Sequence, residues 1–144
     1  MFVLDTNVVS ELRRPEKADP NLTAWASTIP VVNFFISVIT LLELELGTLL
    51  MERKDRGQGA ILRAWIDGQI LPRFSGRILP VDAEVAQRCA RLHAPDPRAE
   101  RDALIAATAL VHRMTVVTRN VSDFELTGVP ILNPWVQTEA SQNE

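Results

Sequence analysis

Cysteine occurs once, at Cys89, in a chain of 144 residues. An internal disulfide framework is therefore excluded, and this usage fits a reducing cytosol. Cys89 falls in a helical stretch, where a buried thiol is the expected role. Long apolar runs are also missing. The longest, Val31 to Leu42, is broken by Asn33, Ser37 and Thr40 and is too short for a membrane span. No secretory leader is expected, because the opening apolar residues reach a charge at Asp5. Histidine is limited to His93 and His112, with no His-x-x-x-His spacing, so zinc is not expected. Both lie near the ends of expected helices, where histidine is commonly a dipole partner. Neither internal repeats nor low-complexity segments are present.

The remainder is ordinary for one soluble domain, with 47% hydrophobic and 23% charged residues. A net charge of -3 excludes a basic nucleic-acid-binding protein by bulk composition. The cations are nonetheless biased, since only Lys17 and Lys54 among the 15 basic residues are lysine. Arginine favours planar, bidentate contact with carboxylates and phosphates; genomic composition gives the same bias.

Apolar, β-rich runs alternate with helical patterns. Strands are expected at 2–4, 33–38, 115–118 and 129–132, with a brief extended piece at 77–80. Helices are expected at 7–12, at 20–27 behind Asp19-Pro20, at 40–54, from the Gly57/Gly59 turn to about 74, at 83–93 behind Asp82, and at 100–113. Strands that are apolar throughout and alternate with helices argue for an α/β fold with a parallel sheet covered on both faces. Ligands of such sheets bind beyond the carboxyl ends of the strands. The tail from Gln137 is polar and expected to fray.

Four acids abut apolar segments that should be core, where a carboxylate is costly unless paired, hydrogen-bonded or bound to a cation. Asp5 follows the first strand; it either serves a ligand or caps the next helix. Glu43 lies among leucines, but Thr40 and Glu43 also match capping-box spacing. Glu45 points about 200° away around the same helix. Asp102 shares a face with Ile105, Ala106 and Ala109, although a solvated first turn has the same composition. Asp123 lies in a loop, with Asn120 a second candidate for its role.

Taken together, Leu4-Asp5-Thr6-Asn7, Ser37 to Leu44, Asp102 to Ala109, and Thr118-Arg119-Asn120 through Phe124 resemble the PIN-domain family of metal-dependent ribonucleases. The likeness is to VapC-like toxins of bacterial type II toxin–antitoxin modules, in particular the FitB-like branch. Gly76 to Pro80 and Asn133-Pro134-Trp135 are similar to that branch as well. The resemblance implies a PIN-like three-layer α/β/α domain over residues 1–135, followed by a polar tail at 136–144. It implies that Asp5, Glu43 and Asp102 are catalytic metal ligands. Some members carry an acid where this chain has Asn120; others carry Asn there and an acid three residues later, as here at Asp123. Asn120 or Asp123 is thus the fourth ligand.

Carboxylates alone repel both the nucleophile and the phosphodiester; oxygen ligands holding Mg2+ or Mn2+ invert the sign of the site. Water activated there would hydrolyse RNA. Arg13, Arg14 and Arg119, nearest the acids in sequence, are expected to meet substrate phosphates. The resemblance further implies a cognate antitoxin, laid as a helix into an apolar groove, self-association as a homodimer or larger assembly, a cytoplasmic location and no membrane partner. Two other readings remain. One is an inert PIN-like binding module; the other is a metal-dependent phosphatase with Asp5 as nucleophile, whose expected Asp-x-Asp is missing because Asn7 fills the second position.

Overall fold

A computed structural model describes residues 1–136; the tail from Gln137, expected to fray, lies outside the described residues. Five short strands form one parallel sheet, in the order β3-β2-β1-β4-β5. They are β1 (Phe2–Leu4), β2 (Phe34–Ser37), β3 (Ile78–Leu79), β4 (Thr115–Val117) and β5 (Ile131–Leu132). Among the described residues seven α-helices connect and cover them: α1 (Thr6–Leu12), α2 (Pro20–Ser27), α3 (Val38–Lys54), α4 (Arg56–Trp65), α5 (Leu71–Arg73), α6 (Ala83–His93) and α7 (Glu100–His112). The expected α/β/α layering is therefore present.

Alternation along the strands sends side chains to two cores. Leu4, Phe34, Ile36 and Val117 meet Val8, Val9, Leu22, Leu44 and Trp65 on one face. Val3 and Val116 meet Ile105, Ala106 and Ala109 of α7 on the other. A third cluster packs Val85 and Cys89 of α6 against Ala103 and Ala107. Helix α7 is thus buried on both sides, which its run of alanines permits. Cys89 is buried, and that burial, ahead of the nearby Glu100, raises its thiol pKa.

The chain runs outward from central β1 to β2 and β3, then crosses back to β4 on the other side of β1. The switch point lies between β1 and β4, where the diverging connections leave a crevice at the carboxyl edge.

Three local expectations are corrected. Helix α3 starts at Val38, not Thr40, because the Ser37 hydroxyl accepts from Ile39 N at 3.0 Å and caps it. Thr40 is fully buried within the first turn, so no Thr40–Glu43 capping box forms. Gly57 and Gly59 do not make a turn. Asp55 alone separates α3 from α4 and caps the latter by accepting from Gln58 N at 3.1 Å. Gly59 is instead where the two helices touch: a Cβ there would lie 2.5 Å from Glu52 Cα. Finally, the helix expected to run to about residue 74 is interrupted by a π-helical turn at Ile66–Ile70, which buries Ile66 and Ile70 together.

Candidate active site at the sheet switch point

Asp5 continues directly from β1, and its N–H donates to Val117 O of β4 at 2.9 Å. Its side chain is therefore delivered to the carboxyl edge between the two central strands. It is only 6% exposed. Oδ1 accepts from Thr6 N at 2.8 Å, so Asp5 does cap α1. Oδ2 accepts from Thr118 Oγ1 at 2.8 Å and from Asn7 Nδ2 at 3.1 Å, which a cap does not require. Burial nevertheless raises its pKa, outweighing the bonds from Thr118, Thr6 and Asn7, with Glu43 adding repulsion. The pocket thus leaves the Asp5 charge incompletely compensated.

Glu43 projects from the second turn of α3. Its Oε1 accepts from Thr6 Oγ1 at 2.7 Å, and its Oε2 lies 3.8 Å from exposed Arg101. Glu45, on the far side of the helix, is taken up by Arg63 at 2.8 Å; Arg63 also reaches Glu52 at 3.4 Å and so ties α3 to α4. Glu43 therefore faces the site and Glu45 does not.

Asp102 stands in the first turn of α7, which has no side-chain cap at Ala99. Its pKa is raised to about 6 by burial, then by Asp5, Asp123 and Glu43 in that order. The four acids, drawn from β1, α3, α7 and the loop after β4, share one electrostatic neighbourhood. Asp123 ends a 3-10 turn (Val121–Asp123) and is exposed, as is Asn120 before it. Asn120 N donates to Thr118 Oγ1 at 3.0 Å.

The donor set is entirely oxygen, which suits a hard divalent cation rather than zinc. Among the described residues no three acid, imidazole or thiol groups are drawn tightly enough to cage an ion as they stand. Glu43 is turned to Thr6, and unscreened carboxylates keep apart. The donors fit such an ion by type, burial and uncompensated charge, with side-chain rotation needed to close around it.

The histidines take no part. His93 Nδ1 accepts from Arg98 N at 3.0 Å, and His112 sits in the last turn of α7. Of the arginines, Arg13 lies with its guanidinium 5.9 Å from the Trp65 ring centroid, and Arg119 lies 5.7 Å from that of Trp135. Arg14 is exposed at the end of α1 and is not brought to either ring. Sequence reasoning missed the bracing roles of Thr6, Asn7 and Thr118, and both tryptophans. Thr118 follows an apolar strand as Asp5 does, and that shared position was the available signal.

The PIN domain model matches residues 2–128. The VapC ribonuclease Y4jK of Sinorhizobium fredii is 37% identical over 140 residues, covering 94% of this chain and 98% of the relative. The toxin FitB of Neisseria gonorrhoeae is 38% identical over 142 residues, covering 94% and 99%; the crystal structure of FitAcB from that organism superposes with a TM-score of 0.86 at 36% identity, over 95% of this chain and 100% of that one. A toxin–antitoxin complex from Klebsiella pneumoniae is similar at TM-score 0.64 and 26% identity, over 93% and 98%.

Proposed function

The chain belongs to the PIN-domain family, and on that footing we propose that it is the ribonuclease toxin of a toxin–antitoxin pair, hydrolysing RNA phosphodiester bonds with Mg2+ or Mn2+ held by its clustered acids. The observation that supports the reading is the placing of Asp5, Glu43, Asp102 and Asp123 around the switch point, near enough that Asp5, Asp123 and Glu43 add to burial in raising the Asp102 pKa to about 6. Such a cluster is unfavourable in a fold and useful around a cation.

Asp5, Glu43 and Asp102 would hold the ion, with Asp123 or Asn120 as the fourth partner. When bound, the ion supplies the positive charge that lets an anionic nucleophile reach a phosphodiester, and it acidifies a water. Asp5 is orientated in advance by Thr118, Asn7 and Thr6 N. Thr6 holds one oxygen of Glu43 beside the site, a contact Glu43 would exchange for the ion. Asp102 carries a proton below about pH 6 and must release it to serve as a ligand.

The partner proposed is a cognate antitoxin. An apolar groove floored by Val9, Leu12, Phe34, Trp65, Ile70 and Phe74, and rimmed by Arg13 and Arg73, suits an amphipathic helix carrying acids. Self-association is supported by Leu42, Leu46, Leu49 and Leu50, which lie on one side of α3 and are exposed. Among the described residues no helix is long and apolar enough to cross a membrane, and a buried free thiol is compatible with work in the cytoplasm.

The test is cleavage of total cellular RNA by antitoxin-free protein with Mg2+ or Mn2+, with EDTA, and with Asp5→Asn. Discrete cuts that need the metal and fall by at least about 100-fold in Asp5→Asn are expected, in line with the loss of a group acting in the transition state. No cutting by folded, metal-loaded protein would replace this reading with the inert binding module.

A further inference from the structure

Two arginines near the acids are held in the same way, each over an indole ring. Arg13 lies over Trp65 and Arg119 over Trp135, at 5.9 and 5.7 Å. Neither makes an ion pair with a carboxylate among the described residues. An arginine on a ring keeps its N–H donors free while losing rotamer freedom in advance, so less is lost when it grips an anion.

Both rings are fixed. Trp65 is buried where α4 meets the π turn. Trp135 donates Nε1–H to Glu11 Oε2 at 2.9 Å and its backbone N–H to Asn133 Oδ1 at 3.0 Å, while its carbonyl accepts from Asn21 Nδ2 at 2.9 Å. The two pairs mark adjacent faces of α1, roughly 100° apart around its axis. Thr6, Ser10 and Arg13 line one hollow with Glu43 and Trp65. Asn7, whose Oδ1 accepts from Arg119 N at 3.3 Å, and Glu11, which holds Trp135, mark the other face. Asp5 caps the head of the helix, and Arg13 closes its other end. Asn7 and Glu11 are one turn apart, about 6 Å along the axis, so Arg119 links Asn7, two residues from Asp5, to the ring of Trp135 held one turn further along.

We propose that Arg13 on Trp65 and Arg119 on Trp135 are paired backbone clamps, each taking one phosphate of a single RNA strand that runs along α1 to the acids at its head. This rests on the ribonuclease reading and adds the path of the substrate to it. The arginines bind; the tryptophans are positioning residues. An acidic site repels RNA unless fixed cations flank it, and these two arginines supply the flanking charge without neutralising the carboxylates.

The test measures binding of a fluorescent single-stranded RNA to the Asp5→Asn protein at a fixed low Mg2+ concentration, across a series of NaCl concentrations. Each phosphate contact contributes about 0.7 to the slope of log affinity against log salt for a single strand. Arg13→Ala and Arg119→Ala, each added to Asp5→Asn, should weaken binding and lower that slope by about 0.7; together they should lower it by about 1.4. Trp135→Phe, with Arg119 intact, should weaken binding with the slope retained, because charge remains but is less well held. Arg119→Lys should restore the slope. Far-UV circular dichroism confirms that each variant is folded. An unchanged slope in either Arg→Ala variant overturns that clamp, and absence of RNA binding by the Asp5→Asn protein overturns both. Metal-dependent cutting by the unmutated protein is scored separately. If it persists, the ribonuclease reading survives a failed clamp; if it is absent, that reading fails first.

Discussion

Asp102→Asn should stabilise the metal-free protein at neutral pH. The Asp102 carboxyl is displaced from 3.8 to about 6, by burial first and then by Asp5, Asp123 and Glu43. The neutral form is thus favoured in the fold. Its contribution to stability is complete below pH 3.8 and is lost as pH rises through about 6. For a fully shielded group this displacement is worth about 3 kcal/mol. Asp102 is only part-buried, and solvent screening reduces the effect to about 1 kcal/mol. Asparagine keeps the shape and removes the charge. At pH 7 in EDTA the variant should therefore unfold about 3–4 °C higher than the parent, or at a correspondingly higher urea midpoint. Near pH 4, where the parent carboxyl is already largely protonated, the difference should shrink toward zero. Saturating Mn2+ should reverse the order, because the parent gains stability by binding and the variant binds less. Equal stability at pH 7 in EDTA, or a gap that persists unchanged at pH 4, would refute the argument that burial and the neighbouring acids favour the neutral form of Asp102.

Gly59→Ala should cost at least about 2 kcal/mol in urea unfolding, since the new Cβ would fall 2.5 Å from Glu52 Cα and α3 and α4 would have to separate. An exposed turn glycine would lose far less, so a cost below about 0.5 kcal/mol rules out the close approach. Thr118→Val removes the donor to Asp5 Oδ2 and the acceptor for Asn120 N in a fully buried position. Stability should fall by about 1–3 kcal/mol, and RNA cleavage should fall more than 10-fold; full activity would remove Thr118 from the orientation of Asp5. Cys89 should resist thiol reagents at pH 8 in the native protein and react promptly in denaturant, since burial raises its pKa; rapid native labelling would contradict its packing between α6 and α7.

Much of the chemistry was legible along the chain because it depends on local order. Asp5 sits directly after an apolar strand, so its placement at a carboxyl edge follows from the strand alone. The Asp19 and Asp82 caps were readable because a cap is a contact over two or three residues. Layering followed from apolar strands alternating with helices. The Thr40–Glu43 spacing was misleading for a physical reason. Capping-box spacing is common, and which residue caps depends on where β2 ends, and β2 extends to Ser37 through its parallel pairing with β3.

The sequence by itself determined an α/β domain with four acids near strand and helix ends, and its motifs carried the resemblance to the PIN family. Residue type, period and position relative to apolar runs are one-dimensional properties, and these are what it encodes directly. Only the tertiary structure decided the strand order and therefore the switch point, since pairings such as Phe2 with Thr115 join segments with no sequence signal for each other. It alone decided that Thr118, 113 residues away, braces Asp5; that Glu43 rather than Glu45 faces the acids, because Arg63 on α4 takes the other; and that two arginines rest on two tryptophans. Those outcomes depend on which surfaces are buried against each other, a property of the folded chain as a whole.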